Sequence, residues 1–349
     1  MKRTTIDIAG HRIGPGQRPF IVAEVAQAHD GSLGTAHAFI DLAAECGVDA
    51  IKFQTHIAEA ESTLDEPFRV KFSRQDETRL DYWRRTSFTE AQWRGLLDHA
   101  RDQGLVFLSS AFSRAAMEML GRLGMQAWKI GSGETVTGDL IDAAIETGQP
   151  VLVSTGMSSW AEIDAIIARL GRAGVPHALF QCTSRYPASL AQVGLNAMTE
   201  MQSRYDCPIG LSDHTGSLWP PVAALTLGAH IIEVHLAMHP MAFGPDVAAS
   251  LMPDDLRRLC EARDAIVTMQ TSPVDKDAIA AELAPMRALF SKSIAPVRAL
   301  PAGHVLTRAD LTLKKPGTGL PAQDLISLVG RKLVRAVSQD RLLTAEDIG

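Results

Sequence analysis

The chain has 349 residues, a length that favours two domains and disfavours an array of small repeats. Its 46% hydrophobic and 21% charged residues are typical of a packed globular protein and exclude a disordered chain. The formal net charge is −6 and no basic run is long enough to follow a phosphate backbone, so we expect no nucleic-acid partner.

The cysteines and the apolar segments indicate the compartment. Cys46, Cys182, Cys207 and Cys260 have none of the close spacings of a zinc or redox motif, which predicts free thiols in a reducing compartment. No run of 18 consecutive residues is apolar, and the first residues are not followed by an apolar stretch of signal-peptide length. We therefore expect no membrane association and a cytoplasmic location.

Eight short apolar runs recur along the chain, each followed by a longer segment with apolar residues at helical spacing. The runs begin at Ile21, Ala50, Val106, Ala127, Val151, His177, Pro208 and Ile231. Nearly continuous apolar strands separated by helices indicate a parallel sheet covered on both faces. Eight such units predict an α/β fold, a (β/α)₈ TIM barrel over residues 1–270.

Two segments interrupt or follow this repeat. A polar, aromatic insertion at residues 59–85 falls in the second βα loop, on the barrel face that carries chemistry, where it serves as a substrate lid or as a subunit contact. Loss of periodicity predicts a linker over 271–290, and short strand-like pieces between Pro and Gly turns predict a small β-rich domain over 291–349. This tail has few apolar positions, so we expect it to pack on its own barrel or on another subunit.

Reactive side chains stand at the carboxyl ends of the predicted strands, which share one rim of a barrel. Lys52 and Lys129 lie there, near hydroxyls and Gly-rich turns. Two ammonium groups with free backbone N–H groups can surround a phosphate or a carboxylate. The alternative is that the lysines form ordinary ion pairs with acidic neighbours such as Asp49 and Glu134.

His214 and His235 end the seventh and eighth predicted strands, so their imidazoles can converge on one ion. Asp213 and Glu233 are nearby carboxylates that could orient the two rings. This pattern predicts a divalent metal site. The alternative is that each histidine is a structural residue with its hydrogen bonds satisfied.

The motifs AEVAQAHDGS, IKFQTH, KIGSGE, STGMS, QCTSRYPA, GLSDHT and GPDVAASL occur in the order typical of the sialic acid synthase family, which the chain resembles over essentially its whole length. Residues 291–349 resemble that family's antifreeze-like (SAF) domain. The resemblance implies an N-acetylneuraminate synthase, which condenses phosphoenolpyruvate with open-chain N-acetylmannosamine and releases phosphate. It also implies a domain-swapped homodimer, in which each tail reaches the partner's barrel.

The resemblance also assigns roles by motif. The implied catalytic residues are Glu24, Lys52, Lys129 and Glu134. The implied phosphoenolpyruvate contacts are Lys52, Ser110, Lys129, Ser132, Ser154, Ser184 and Ser212. The implied sugar contacts are Gln54, Glu134, Tyr186, Asp246, Phe290 and Lys315. His214 and His235 are the implied ligands of Mn²⁺ or Mg²⁺, with Co²⁺ also accepted.

In the implied reaction the metal polarises the aldehyde oxygen, and Glu134 orients or protonates that oxygen. Glu24 handles the water that adds at carbon 2 of phosphoenolpyruvate. Three positions depart from the family pattern and leave the sugar open. Lys315 stands where an arginine is common, Ser184 where some members have Asn, and Asp30 where Asn is more usual.

Rival functions remain at this point. Legionaminate and pseudaminate synthases, and sialic acid 9-phosphate synthases, run the same reaction on another N-acyl sugar. A 6-phosphorylated sugar would need extra cations, which Arg69, Lys71, Arg74 and Arg79 of the insertion could supply unless they form a solvated face. A metal-dependent aldolase or hydrolase would not need the two lysines, and a polysaccharide-binding protein would leave the reactive rim without a purpose.

Overall fold

The computed structural model describes residues 4–349, which divide into two compact units with the boundary between Thr271 and Ser272. Within residues 4–271, the first unit contains eleven strands and ten α-helices. The strands are β1 (Ile6–Ile8), β2 (His11–Ile13), β3 (Phe20–Ala26), β4 (Ala50–Thr55), β5 (Val106–Ala111), β6 (Trp128–Ile130), β7 (Val151–Ser154), β8 (His177–Cys182), β9 (Ile209–Asp213), β10 (Ile231–Leu236) and β11 (Ser250–Leu251). The helices are α1 (Leu33–Cys46), α2 (Ala58–Glu61), α3 (Arg79–Thr86), α4 (Glu90–Asp102), α5 (Arg114–Leu123), α6 (Asp139–Thr147), α7 (Trp160–Ala173), α8 (Leu195–Arg204), α9 (Trp219–Thr226) and α10 (Pro253–Thr271).

Strands β3 to β10 form a closed parallel barrel. Each pairs with the next in chain order, and β10 pairs in parallel with both β9 and β3, which closes the sheet. The predicted TIM-barrel fold is therefore confirmed. The hairpin β1–β2 covers the amino end of the barrel, because Ile6, Ile8 and Ile13 belong to the same apolar cluster as the first residues of the strands.

The helices begin and end where local side chains satisfy their free backbone groups. Ser159 accepts the Glu162 N–H, and the Glu162 carboxylate accepts the Ser159 N–H, which forms a capping box at the start of α7. Helix α1 ends at Gly47, whose φ of 81° is the left-handed conformation that glycine adopts without strain. These signals fix the length of each βα unit, and thereby the points at which the strands end.

Alternation along the strands decides which side chains enter the barrel. Phe20 and Val22 of β3 lie in the interior apolar cluster, and Glu24 is the next residue with the same orientation. The same parity carries Lys52, Ser110, Lys129, Ser154, Ser212 and Glu233 to the interior, one layer above the apolar cluster. The carboxyl end of the barrel is therefore filled by charged and hydroxyl groups instead of a third apolar layer.

The second unit is small and rich in turns. It contains helices α11 (Lys276–Glu282) and α12 (Ala284–Phe290), then β12 (Ser293–Pro296) paired antiparallel with β13 (Leu311–Lys314). The two helices occupy the segment for which we predicted a linker, and the Asp275 carboxylate begins α11 by accepting two backbone N–H groups. Its core consists of buried leucines and one isoleucine: Ile294, Leu300, Leu306, Leu311, Leu325, Leu328, Leu333 and Leu343.

Candidate active site

A cavity of about 460 Å³ opens at the carboxyl ends of the barrel strands. Every site residue that we predicted on the barrel lines it. These residues are Glu24, Lys52, Gln54, Ser110, Lys129, Ser132, Glu134, Ser154, Ser184, Tyr186, Ser212, His214, His235 and Asp246. Closure of the barrel brings together groups that are up to 222 residues apart in the chain, from Glu24 to Asp246.

Two lysines and two glutamates form a buried charge network at the floor of the cavity. The Lys52 ammonium lies 2.6 Å from Glu24 Oε2 and 3.7 Å from Glu233 Oε1. Lys129 donates to the same Glu233 oxygen at 3.0 Å, and Ser212 Oγ also donates to it at 3.3 Å. None of the four charged side chains exposes more than 5% of its surface. With both carboxylates ionised, the network is neutral before any substrate binds.

Burial and charge act in opposite directions on these groups. Burial raises the pKa of Glu24 above its usual value, although the Lys52 ammonium opposes the change. Burial would also raise the pKa of Glu233, but Lys129 and Lys52 outweigh it and hold that pKa low. Burial would lower the pKa of Lys52, yet the two glutamates raise it. Lys52 and Glu233 are therefore charged at neutral pH.

Hydroxyls and a glycine line the adjoining wall. Lys129 donates to Ser154 Oγ at 2.8 Å, and the Gly156 N–H donates to Ser132 Oγ at 3.0 Å. A Cβ at Gly156 would stand only 2.5 Å from Ser184 Oγ and 2.9 Å from Ser132 Oγ, so any side chain here would displace these hydroxyls. The wall presents small polar groups beside an ammonium, which suits the oxygen atoms of an anion.

Two imidazoles converge beside the charge network. The ring centroids of His214 and His235 are 5.2 Å apart, and the Tyr186 ring packs on them at 4.1 Å and 5.8 Å. His214 Nδ1 lies 2.9 Å from the Thr183 carbonyl oxygen, which requires the proton on Nδ1 and leaves the Nε2 lone pair available. Burial, followed by the neighbouring imidazole, lowers the pKa of His214 to about 3.

The histidine pair fits a weakly held divalent metal. Burial and the Lys52 charge lower the pKa of His235 to about 3, so both rings are neutral ligands at pH 7. Within residues 4–349, no third histidine, cysteine or carboxylate joins them to form a cluster of metal ligands. Two imidazoles leave several coordination positions for water and substrate oxygens, as open catalytic sites require.

Two carboxylate contacts considered from the sequence, one as a prediction and one as an alternative, are absent. Asp213 does not orient a histidine, because its side chain points away from the interior face and accepts from the Thr215 N–H and hydroxyl. Asp49 does not pair with Lys52 but with Arg18 and Arg263, below the first strands. Alternation along the strands explains why. Asp213 and Asp49 have the outward parity, whereas His214 and Lys52 have the parity that faces the barrel interior.

The insertion covers the cavity. Phe68, Phe72, Leu80, Tyr82 and Trp83 form an apolar cluster of their own with Ala58, and residues 61–83 supply part of the lining. Arg85 fastens the insertion by pairing with Asp76 and with Asp30. Asp30, which departs from the family pattern, is therefore a partner of the insertion. Of the two open alternatives, this arrangement favours a lid.

Arg69 reaches from the insertion to the predicted sugar residues. Its guanidinium lies 2.7 Å from Asp246 Oδ1 and 4.1 Å from the centroid of the Tyr186 ring. Arg79 lies nearby and pairs with Glu66 at 3.2 Å. The sequence contained these arginines, but nothing in their spacing distinguished them from Lys71 and Arg74, which are exposed and do not line the cavity.

A second feature that sequence reasoning missed is His56. Its ring lies between Trp83 and Phe112, with centroid distances of 3.7 and 4.4 Å. His56 Nδ1 is 2.5 Å from Glu61 Oε1, and Nε2 is 3.4 Å from Gln54 Oε1. The IKFQTH motif could have indicated this position. Alternation along β4 places Gln54 on the interior face, and His56, two residues further, continues on the same side.

Phe290 and Lys315, the remaining predicted sugar contacts, belong to the second unit. The Lys315 ammonium lies 5.1 Å from the centroid of the Phe290 ring, within the range of a cation–π contact. Lys315 therefore makes a cation–π contact with Phe290 that an arginine at this position could also make. It lacks the planar fork of a guanidinium.

A closed (β/α)₈ barrel with a charged cavity at the carboxyl ends of its strands is the architecture of a TIM-barrel enzyme. The chain belongs to the NeuB family, whose model matches residues 39–274, and residues 291–349 match the SAF domain. The resemblance to sialic acid synthases is therefore confirmed. No helix within residues 4–349 is both long and apolar enough to span a membrane.

The relatives with assigned names are synthases of several different sugar acids. The chain is 32% identical to N-acetylneuraminate-9-phosphate synthase of Homo sapiens over 95% of this chain and 93% of that protein. It is 31% identical to N,N'-diacetyllegionaminic acid synthase of Legionella pneumophila over 96% of each. A solved N-acetylneuraminic acid synthetase from Leptospira borgpetersenii has a TM-score of 0.72 and 27% identity, and the match covers 82% of this chain and 96% of that chain.

Proposed function

We propose that the protein condenses phosphoenolpyruvate with the open-chain form of an N-acyl hexosamine, N-acetylmannosamine, and releases phosphate to form N-acetylneuraminate. The observation that carries this proposal is the juxtaposition of two buried lysines with two neutral imidazoles in one cavity. Phosphoenolpyruvate brings a phosphate and a carboxylate, which need fixed cations. The second substrate brings an aldehyde, which needs an electrophilic partner for its oxygen.

Lys52 and Lys129 hold the phosphate and carboxylate of phosphoenolpyruvate through charged hydrogen bonds. The serine hydroxyls around them (Ser110, Ser132, Ser154, Ser184 and Ser212) donate to the remaining oxygens. Because the lysines already face Glu24 and Glu233, they are positioned before the substrate arrives, and little reorganisation accompanies binding. This fixes carbon 3 of phosphoenolpyruvate toward the aldehyde.

His214 and His235 would hold Mn²⁺ or Mg²⁺, with Co²⁺ also accepted. When bound, the metal supplies Lewis-acid polarisation of the aldehyde oxygen. Glu134 delivers a proton to that oxygen as carbon 3 attacks, and burial raises the pKa of Glu134, which suits a carboxyl that takes up and gives up a proton during the reaction. Glu24 accepts a proton from the water that adds at carbon 2 before phosphate leaves.

The charge of the outer part of the cavity favours an unphosphorylated sugar. The lining contributed by the insertion and by the loops after the strands carries four carboxylates against two guanidinium groups. These are Glu61, Glu66, Glu134 and Asp246, with Arg69 and Arg79. Both arginines already pair with a carboxylate, so a phosphate dianion would have to displace Asp246 or Glu66 to reach a guanidinium. The alternative sugar substrates are the diacetamido sugars of legionaminate and pseudaminate synthases and the 6-phosphate of N-acetylmannosamine.

An aldolase or hydrolase on this barrel is a weaker proposal, because such an enzyme has no use for the buried lysines.

For the assembly we propose a domain-swapped homodimer in the cytoplasm. Exposed apolar side chains recur in the second unit, namely Val274, Ile279, Leu283, Met286, Leu289 and Phe290. Apolar surface of this kind is typical of a face that another chain covers.

The test is a comparison of N-acyl sugars in the presence of phosphoenolpyruvate and Mn²⁺. N-acetylmannosamine, its 6-phosphate and 6-deoxy diacetamido hexoses are each assayed for phosphate release and 2-keto acid formation. We expect the highest kcat/KM with N-acetylmannosamine. Phosphate release with the 6-phosphate alone would contradict the charge argument, and phosphate release with none of the sugars would contradict the condensation itself.

A further inference from the structure

His56 is an acid–base group that the condensation does not use. It lines the cavity, its side chain is 3% exposed, and the parallel rings of Trp83 and Phe112 hold it on both faces. A histidine that is merely structural needs no opening toward a cavity of about 460 Å³. The aromatic rings fix the imidazole plane, so that its two nitrogens point along defined directions.

Both ring nitrogens of His56 face oxygen atoms. Gln54 Nε2 donates to Glu24 Oε1 at 3.0 Å, which fixes the amide and turns Gln54 Oε1 toward His56 Nε2. Glu61 Oε1 faces Nδ1. Since a neutral imidazole carries one N–H, satisfying both contacts requires one more proton on the pair formed by His56 and Glu61. With both nitrogens protonated beside the Glu61 carboxylate, the ring would have an Nε2–H to transfer.

The two contacts differ in length, and the difference indicates where a substrate would bind. The Nδ1 contact is 2.5 Å, whereas the Nε2 contact of 3.4 Å is at the outer limit of a hydrogen bond. Glu61 therefore anchors the ring. Nε2–H is weakly held and can donate to an oxygen of a bound molecule in place of the Gln54 amide.

The condensation creates a need for such a proton donor. An N-acyl hexosamine in water is mainly a cyclic hemiacetal, in which carbon 1 has no carbonyl group to attack. Ring opening requires a proton on the ring oxygen O5 and removal of the proton from O1, which is general acid–base chemistry. The cavity offers an acid at His56 and a carboxylate at Glu134, both part of the same lining.

We propose that His56, anchored by Glu61, and Glu134 give this protein an aldose ring-opening activity on its own N-acyl hexosamine, in the cavity used for condensation. The His56 Nε2 proton moves to O5 as the C1–O5 bond breaks and its electron pair stays on O5. The O1–H electron pair becomes the second C1–O1 bond as Glu134 takes the proton. No oxidant or further reactant is needed, because the step is an isomerisation. This inference rests on the proposed function.

The proton balance links the two reactions. Burial and the nearby Glu61 charge raise the pKa of Glu134, which makes its carboxylate a better base for O1–H. The proton that Glu134 takes from O1 is the one that O1 needs when the attack of carbon 3 places negative charge on it. His56 recovers its proton from water at the cavity mouth, and the cycle closes.

The test follows exchange between the two anomers of N-acetylmannosamine by NMR, with metal-loaded protein and no phosphoenolpyruvate. We expect exchange to accelerate in proportion to protein concentration. His56→Asn should reduce the acceleration by about 10²-fold or more, and Glu61→Gln, which retains the shape, should reduce it as well. The matched control is His177→Asn at the amino end of β8, away from the cavity, which should leave exchange unchanged. Folding of each variant is checked by its thermal transition.

A second substrate separates ring opening from a structural role. With an N-acyl aldehyde that lacks the hydroxyl groups needed for ring closure, His56→Asn should condense with a kcat near that of the wild type, whereas with N-acetylmannosamine it should lose most of its kcat. An equal loss with both substrates would overturn the inference. Phosphate release without accelerated exchange in the wild type would also overturn it and leave condensation standing. Accelerated exchange without phosphate release would support it and remove the proposed condensation.

Discussion

The Lys129 ammonium donates to Glu233 Oε1 at 3.0 Å in the interior of the barrel. The two residues come from β6 and β10, which are not neighbours in the sheet, so the contact crosses the barrel. Glu233 keeps Lys129 and Lys52 in place and balances part of their charge while no anion is bound. In the proposed function, phosphoenolpyruvate would compete with this preformed carboxylate contact. Removing either partner affects both stability and binding.

Replacing Lys129 by Met should weaken the binding of phosphoenolpyruvate by about 1.5–3 kcal/mol, because one charged hydrogen bond is lost. It should also reduce the free energy of unfolding by about 3 kcal/mol, since Glu233 remains buried with less compensation. In the double variant Lys129→Met/Glu233→Gln we expect stability to recover and affinity not to recover. Calorimetric titration and urea unfolding measure the two quantities, and unchanged affinity in both variants would remove Lys129 from the anion site.

The histidine pair predicts a removable metal. Excess chelator should abolish phosphate release, and Mn²⁺, Mg²⁺ or Co²⁺ should restore it, because two imidazoles bind weakly. His214→Ala should lose Mn²⁺ binding, measured by calorimetry on the metal-free protein, while its thermal transition stays within a few degrees of the wild type. His177→Ala provides the matched control. Full turnover in chelator, or unaltered Mn²⁺ binding by His214→Ala, would contradict the assignment.

Sequence reasoning located the inner part of this site better than the outer part. Glu24, Lys52, Lys129 and His235 lie on regular strands, where periodicity predicts the strand and its parity predicts the side that faces the interior. The same parity, applied consistently, would have excluded Asp213, which alternates with its inward-facing neighbours.

His56 and Arg69 could not be predicted in this way. They follow a strand end or lie in the insertion, where no repeat of period 2 or 3.6 relates a residue to a direction. Their positions depend on tertiary contacts such as the stacking of His56 on Trp83 and the pairing of Arg69 with Asp246. The helices at 276–290 were missed for a related reason, since their apolar residues are exposed and give no amphipathic face that packs on a core.

The contacts of Asp310 predict that the stability of the second unit depends on pH. It accepts from His304 Nε2 at 2.9 Å, from the Thr307 hydroxyl at 2.6 Å and from the Thr307 N–H at 3.0 Å, and these donors, His304 first, lower its pKa. Arg298 also donates to this carboxylate, at 2.9 Å. A depressed folded-state pKa means that the stabilisation is fully present above the unfolded-state value of about 3.9 and declines progressively as pH falls from that value through the lower folded-state pKa.

Hydrogen exchange of residues 293–314, corrected for the intrinsic effect of pH, measures this loss. We expect Asp310→Asn to reduce protection at pH 7 and to reduce it less at pH 3, because the Asp310 carboxyl of the unfolded chain is then largely protonated and part of the stabilisation is already lost. Asp340→Asn, at an exposed position of the same unit, is the control and should change little. A difference between wild type and Asp310→Asn that does not depend on pH would contradict the assignment.

The proposed homodimer predicts complementation between two inactive proteins. If Lys315 acts at the partner's barrel, mixing Lys315→Ala with His214→Ala should restore part of the activity after subunits exchange. One site of the mixed dimer then has an intact barrel and an intact tail, while both defects fall in the other site. Subunit exchange is verified with differently tagged proteins. No recovery despite exchange would show that each tail serves its own barrel, and full activity of Lys315→Ala alone would show that Lys315 is dispensable.

The most direct test of the central claim uses phosphoenolpyruvate labelled with ¹⁸O at the oxygen that bridges carbon 2 and phosphorus. If carbon 3 attacks the sugar aldehyde and water adds at carbon 2, the C–O bond breaks and the label leaves with phosphate. We predict fully labelled phosphate, formed together with an equal amount of N-acetylneuraminate and only when N-acetylmannosamine is present. Unlabelled phosphate, or phosphate released without sugar, would contradict the account.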